Sequence, residues 1–355
     1  MSHPLPTAIL LSNKMKLRFY SYTIELKEQF TLSVNSRTTT PAVMVEVEHD
    51  GLTGYGEASL PPYLPENQSS VINFLNNLNL DSFNDPVNLN LILDYIENII
   101  EENYAAKAAI DIALHDLVGK ILGIPLYQYL NIIKQDNIYS SFTIGISDKE
   151  KTQQKINAAS EYKFLKIKLG TENDREIVSS IREFTNKLLF VDVNQGWSDK
   201  YFALDMISWL SEQNVILVEQ PLSKENFEDA KWLNERSPLP IIADEAAQVL
   251  NDLEMIKEHY SGINVKLMKA GGIRSAYRML KRAKELNLKI MLGCMTETSC
   301  AITAASHLSP LADWLDLDGA ELISNDVFTG MKIRNGKVII PNLPGLGVEK
   351  ITKSK

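Results

Sequence analysis

The chain has 355 residues, 45 acidic against 36 basic, for a formal charge of −9, so most of its surface repels a polyanion and nucleic acid is not expected as a partner. At about 150 residues per domain the length suggests two domains, and 45% apolar with 23% charged residues excludes disorder and collagen. No apolar run approaches the roughly 18 residues of a membrane span, and Ala8 to Leu11 is too short for a secretory signal core, so a cytoplasmic protein without membrane contact is expected.

In chain order, residues 1–14 ahead of Met15 read as a disordered extension. From Lys16 to Glu48 the pattern alternates in the β manner, through Leu17, Phe19, Tyr20 and Tyr22 and then Ala42-Val-Met-Val-Glu-Val, with Thr38-Thr-Thr-Pro41 read as the turn between antiparallel strands. Gly51 and Gly54-Tyr-Gly56 punctuate a further hairpin, and Pro61, Pro62 and Pro65 make Ser59 to Glu66 a stiff loop. Residues 67–123 are helical in pattern, most clearly Ala105 to Leu122, closed by Gly123-Ile-Pro125. Asn67-Gln-Ser69 matches a glycosylation acceptor and is read as a chance match, because a secretory signal is not expected. An α+β unit therefore fills about 15–135.

Beyond Ile138 short apolar strands alternate with helical stretches, with strand centres at Phe142, Ile167, Phe190, Leu217, Ile242, Val265, Met291 and Leu315, spaced 23 to 27 residues apart. Eight such units, without a Gly-x-Gly-x-x-Gly turn, predict an α/β fold of the (β/α)8-barrel type over 136–328 rather than an open sheet. The segment 329–355 returns to β alternation and is expected to pair back onto the first domain.

In such a barrel the active site lies at the C-terminal ends of the strands. There the chain places Lys166-Ile-Lys168, Asp192-Val-Asn194, Glu219-Gln-Pro221, Asp244-Glu245, Lys266-Leu-Met-Lys269, Cys294-Met-Thr-Glu297 and Asp316-Leu-Asp318. Asp192, Glu219 and Asp244 end three consecutive strands one repeat apart, so they point to one spot; three carboxylates there repel unless a hard divalent cation such as Mg²⁺ joins them. Lys166 and Lys168 share a strand face, and their mutual repulsion and burial are expected to lower the pKa of at least one, giving a base near pH 7. Lys266 stands four strands away on the opposite wall, whereas Lys269 has the other parity and reads as an outer or loop residue. Two bases facing each other across a metal-bound carboxylate suit removal of an α-proton from one side and its return from the other, with the metal stabilising the enediolate by several kcal/mol. No histidine ends a strand in this map, and Cys294 and Cys300 read as packing residues.

On these motifs the chain resembles the enolase superfamily, muconate-lactonising-enzyme subgroup, over nearly its whole length from Met15. The shared pattern comprises Lys166-Ile-Lys168, Asp192-Val-Asn-Gln-Gly-Trp197, Glu219-Gln-Pro221, Ala243-Asp244-Glu245 and Lys266 to Gly272. A lysine base acting with a metal-stabilised enediolate is the general chemistry that this resemblance implies. The resemblance implies a modified TIM barrel under an α+β capping domain built from the N-terminal part and the C-terminal tail. It implies Lys168 and Lys266 as opposed bases, Lys166 as the neighbour tuning Lys168, and Asp192, Glu219 and Asp244 as ligands of one Mg²⁺ per subunit, replaceable by Mn²⁺. Ala246 departs from the family, which usually has serine after Asp-Glu. Within the subgroup Asp316-Leu-Asp318 is similar to the pair by which dipeptide epimerases hold the substrate's free ammonium, so a small-molecule dipeptide such as L-Ala-D/L-Glu is the expected substrate and a homo-oligomer the expected assembly. Arg37, Thr143, Met295 and Thr296 are further candidates for substrate contact, with specificity placed in the loops near Phe30 to Thr40 and Ser59 to Glu66. Lyases of the subgroup, such as o-succinylbenzoate synthase or a cycloisomerase, an N-acylamino acid racemase, and a non-catalytic binding barrel remain alternatives.

Overall fold

The computed structural model describes residues 14–31 and 36–352, so all but Lys14 of the expected N-terminal extension lies outside the described residues. Three antiparallel strands come first, β1 (Lys16–Thr31), β2 (Ser36–His49) and β3 (Leu52–Ser59), in the order β1–β2–β3. Two expectations are corrected here. Thr38-Thr39-Thr40-Pro41 is not a turn, and most of Phe30 to Thr40 is not a loop, because Ser36 to Pro41 continues β2, with Arg37 paired to Phe30 and Pro41 to Thr23. Three β-branched threonines favour the pleated backbone, and Pro41 falls one residue beyond the last β2–β3 pair, Ala42 with Ser59, where its missing N–H costs least.

Helices α1 (Gln68–Asn76), α2 (Leu89–Asn98) and α3 (Tyr104–Leu122) complete the cap, followed by the single turn α4 (Leu126–Tyr129). Asn67 caps α1 by accepting from the Ser70 N–H at 3.0 Å, which accounts for its place in the sequence. Helix α3 is buried continuously from Ala105 to Gly119, and its polar members are satisfied internally: Asp116 accepts from the Tyr55 N–H and from Lys120. Gly54 and Gly56 lie inside β3, not in a turn. A Cβ there would come within 2.1 and 1.9 Å of the Ala113 and Ala109 carbonyl oxygens, so the bare backbone lets α3 rest on the sheet.

All eight expected strand centres fall in the parallel strands β4 (Ser141–Ile144), β5 (Phe164–Lys168), β6 (Leu188–Asp192), β7 (Val215–Glu219), β8 (Ile241–Ala243), β9 (Gly262–Val265), β10 (Lys289–Gly293) and β11 (Trp314–Asp316). They run in sequence order, and a parallel bridge from Ser140 to Leu315 joins the first to the last. Helices alternate with them: α5 (Lys149–Ala158), α6 (Asp174–Phe184), α7 (Lys200–Ser211), α8 (Phe227–Asn234), α9 (Leu253–His259), the one-turn α10 (Leu267–Ala270), α11 (Ile273–Glu285) and α12 (Ser299–Ser306). Phe190, Leu217, Ile242 and Met291 form an apolar cluster of their own. Each stands two residues before a strand-end position, so the two-residue period turns both toward the barrel axis: an apolar layer below and Asp192, Glu219, Asp244 and Gly293 above it.

The tail forms two short pairs, β12 (Phe328–Thr329) with β15 (Glu349–Lys350), and β13 (Lys332–Arg334) with β14 (Lys337–Ile339). It meets the cap through the Leu346 N–H on Asp116, Lys350 on Glu46 and the Phe328 ring 5.2 Å from Tyr55. Among the described residues no helix is long and apolar enough to cross a membrane.

His307, fully buried after α12, ties these parts together: its Nδ1 accepts from the Tyr127 N–H at 3.2 Å and its Nε2–H donates to the Leu346 carbonyl at 3.0 Å. Burial brings its pKa down to about 4. Neutral in the fold but readily protonated once unfolded, it contributes stability that is present above pH 6.5 and is lost as pH falls through 4, roughly 3 kcal/mol in all. The stability gap between wild type and His307→Gln should therefore narrow by about that amount between pH 7 and pH 4 in urea unfolding; a constant gap would contradict it.

Candidate active site

The strand ends hold the expected residues in register. Lys168 pairs with Asp192 across β5 and β6, and Asp192 with Glu219 across β6 and β7, so all three lie at one height. Asp244 follows the end of β8. Asp192, Glu219 and Asp244 are at most 3% exposed and offer carboxylate oxygens within 4.8 Å of one another. Glu219 Oε1 accepts from Asn264 Nδ2 at 2.8 Å, while among the described residues Oε2 makes no aligned hydrogen bond although Lys166 Nζ stands 2.7 Å away. A buried all-oxygen triad with such an underused atom fits a hard divalent cation.

Four lysines surround it. Lys166 Nζ lies 2.7 Å from Glu219, 3.0 Å from Asp192 and 2.7 Å from Asp316. Lys168 donates to Asp192 at 2.6 Å and to Asn194 at 3.2 Å, and Lys266 to Asp244 at 2.6 Å on the far wall. Lys269 corrects the reading as an outer residue. It is buried and donates to Asp244 Oδ1 at 2.5 Å and to the carbonyls of Asp244, Ala247 and Asn264. Strand parity ends at Val265, and the turn of α10, capped by Gly271 in the left-handed region (φ 88°), brings Lys269 back beneath the site.

The expected lowering of a base in the Lys166/Lys168 pair is not what the charges produce at Lys166. Burial opposes its charge, but Asp192, Asp316 and Glu219 outweigh it and hold its pKa well above the ordinary value. At Lys266 burial is likewise outweighed, by Asp244 and Glu219. The lysines reciprocate: against burial, Lys166 and Lys168 bring Asp192 down to about 2, and Lys266 and Lys269 hold Asp244 well below the carboxylate range. Glu219, by contrast, is pushed up to about 7 by burial and then by Asp192.

The two eighth-strand acids do different things. Asp316 accepts from Lys166 and, through Oδ1, from Ser141 at 3.0 Å, so its acceptor capacity is largely engaged. Asp318 accepts from the Thr143 N–H at 2.6 Å and Thr143 Oγ1 at 3.2 Å, and burial followed by Asp316 pushes its pKa up to about 7. Arg37 reaches the same pocket from β2. Its guanidinium stands 5.4 Å from the Phe30 ring and 5.8 Å from Tyr63, Nε donates to Thr40, and buried Nη1 has no partner among the described residues. Thr296 bonds Thr40 at 2.7 Å, and Met295 accepts from Tyr63 at 3.0 Å. All twelve expected residues except Asp192 and Glu219, which lie beneath the others, line one cavity of about 190 Å³. Sequence reasoning missed Asn264, Ser141 and Tyr63. The first two share parity with Lys266 and Thr143 and could have been found that way; nothing in the loop pattern singles out Tyr63.

A cap over a parallel barrel, with lysines at the strand ends facing a buried carboxylate triad, defines a proton-transfer enzyme of the enolase type. The family comparison agrees: the enolase C-terminal domain-like model matches residues 149–353, the mandelate racemase/muconate lactonizing enzyme N-terminal domain model matches 15–131, and the chain belongs to the enolase superfamily. The chain is 48% identical over 353 residues, 98% of its length and 92% of the relative's, to an L-Ala-D/L-Glu epimerase of Bacteroides thetaiotaomicron. Among solved structures it resembles a substrate-liganded L-Ala-D/L-Glu epimerase from Bacillus subtilis (TM-score 0.87, 26% identity, covering 95% of this chain and 98% of that one). It also resembles a dipeptide epimerase from Enterococcus faecalis complexed with Mg and L-Leu-L-Tyr (TM-score 0.85, 31% identity, covering 94% and 99%).

Proposed function

We propose that this chain epimerises a dipeptide, L-Ala-D/L-Glu or a close relative, at the α-carbon of the C-terminal residue, with one Mg²⁺, or Mn²⁺ in its place, held by Asp192, Glu219 and Asp244. The observation that carries the reading is Lys168 and Lys266 on opposite walls of one cavity that also holds Asp318 and Arg37, whose Nη1 has no partner among the described residues. A divalent cation at the triad would supply the positive charge that stabilises the anion left by the departing α-proton and would offset the carboxylates that hold Lys166 and Lys266 above their ordinary range. Lys168 exchanges a proton with one face of the α-carbon and Lys266 with the other, each aimed by its carboxylate, Asp192 or Asp244. Lys166 lies between Asp316 and the triad and sets the field at Lys168. Asp318 receives the substrate ammonium, with Asp316 holding Lys166 beside it, and the Nη1 of Arg37 donates to an acidic second side chain. The unbridged Cys294 and Cys300 suit a reducing cytoplasm.

The test is α-deuterium uptake from D₂O by L-Ala-L-Glu with Mg²⁺, read by mass. Asp318→Asn should cost about 2–5 kcal/mol of transition-state binding, some 30-fold to several thousand-fold in kcat/KM, whereas Arg37→Ala should hurt only dipeptides with an acidic second residue. Equal kcat/KM for a dipeptide and its N-acetylated form would show that the ammonium is not read and would turn the assignment toward an N-acylamino acid racemase.

A further inference from the structure

A second cavity, of about 460 Å³, lies directly behind the first, between the end of β1, the top of β4 and helix α5. The two share a wall made of Phe30, Thr143 and Leu322. Thr143 is the residue that donates twice to Asp318, so the second cavity begins one side chain away from the proposed ammonium site. In a dipeptide the first side chain branches from the same carbon as that ammonium. Once the ammonium is on Asp318 and the carboxylate is at the triad, this side chain has little choice but to start along the shared wall.

The lining says what it would accept. Leu26, Phe30, Phe142 and Leu322 present apolar surface, with the Phe142 ring 5.2 Å from that of Tyr162. Lys27, Lys155, Glu28 and Glu321 supply two charges of each sign. Lys155 lies 3.4 Å from Glu28, and Lys27 is held by the Glu321 carbonyl at 2.8 Å, so the cavity carries no net charge to balance an ionic ligand. An alanine methyl would leave most of this space unfilled.

We propose that this cavity is the subsite for the side chain of the substrate's first residue, and that it takes a large uncharged side chain such as leucine or methionine as readily as alanine. The assignment rests on the dipeptide epimerase reading above. It is tested by kcat/KM for L-Ala-L-Glu, L-Leu-L-Glu and L-Met-L-Glu with Mg²⁺, on wild type and on Ala158→Trp. Ala158 is an exposed residue of α5 that lines the second cavity and not the first, so an indole there would fill it without touching the reacting groups. Wild type should process the leucine and methionine substrates within about threefold of the alanine one or better. Ala158→Trp should lose at least about tenfold on the two large substrates and stay within about twofold on L-Ala-L-Glu, since a few methylenes in an apolar pocket are worth that much. Wild type at least tenfold poorer on the large residues, or a variant that loses equally on all three, would overturn the subsite. Failure of wild type on every dipeptide, L-Ala-L-Glu included, would instead sink the epimerase reading and this assignment with it.

Discussion

Lys168→Ala and Lys266→Ala should each lower epimerisation by about 100- to 10,000-fold, the usual contribution of a positioned acid–base group, while leaving opposite halves of the reaction intact. With Lys168 gone, Lys266 should still exchange the α-proton of one epimer with D₂O, and the converse should hold for Lys266→Ala. The structure makes these variants readable as chemistry rather than collapse. Asp192 keeps Lys166 at 3.0 Å when Lys168 is removed, and Asp244 keeps Lys269 at 2.5 Å when Lys266 is removed, so neither buried carboxylate is orphaned. Exchange of both epimers by either single variant, followed by proton NMR, would refute two opposed bases.

The second large effect concerns the triad. Chelation should abolish activity, and Mg²⁺ or Mn²⁺ should restore it. Glu219→Gln should weaken Mg²⁺ binding by at least about 100-fold, beyond the usual cost of losing a group that merely supports a ligand. The fold should survive, because glutamine can still accept from Asn264 Nδ2 and because a buried carboxylate, whose pKa burial has pushed up to about 7, is removed along with its desolvation cost. In a thermal scan Mg²⁺ should raise the Tm of wild type and not that of Glu219→Gln. Full activity in excess EDTA, or equal Mg²⁺ affinity in both proteins, would rule out the triad as the metal site.

Much of this arrangement was legible in the sequence because it depends on two periods. The repeat of 23 to 27 residues placed each of the eight strand centres inside a strand, and the two-residue period within strands put the ends of Lys166-Ile-Lys168, Asp192, Glu219 and Asp316 on the inner face. Where a residue left a regular element the reading failed. Lys269 sits on a single helical turn too short to show a period, so parity sent it outward. At Thr38 to Pro41 the proline suggests a turn, yet the β-branched threonines and pairing with β1 hold the segment as strand, which moves Arg37 from a loop to a fixed position beside Tyr63.

What the sequence by itself determined is therefore the barrel, the identity of the groups at its mouth and the kind of ion they suit, since these follow from spacing and donor chemistry. Only the tertiary structure decided how the charges are shared. Asp316 turned out to serve Lys166, Asp318 to stand with Thr143, and the carboxylates to outweigh burial and repulsion at Lys166, because such balances depend on distances of a few ångströms between strands remote in the chain. The cavity behind Thr143 is of the same kind: it exists only because the end of β1, from the cap, packs over β4 and α5 of the barrel, and no local pattern in either segment encodes the space left between them.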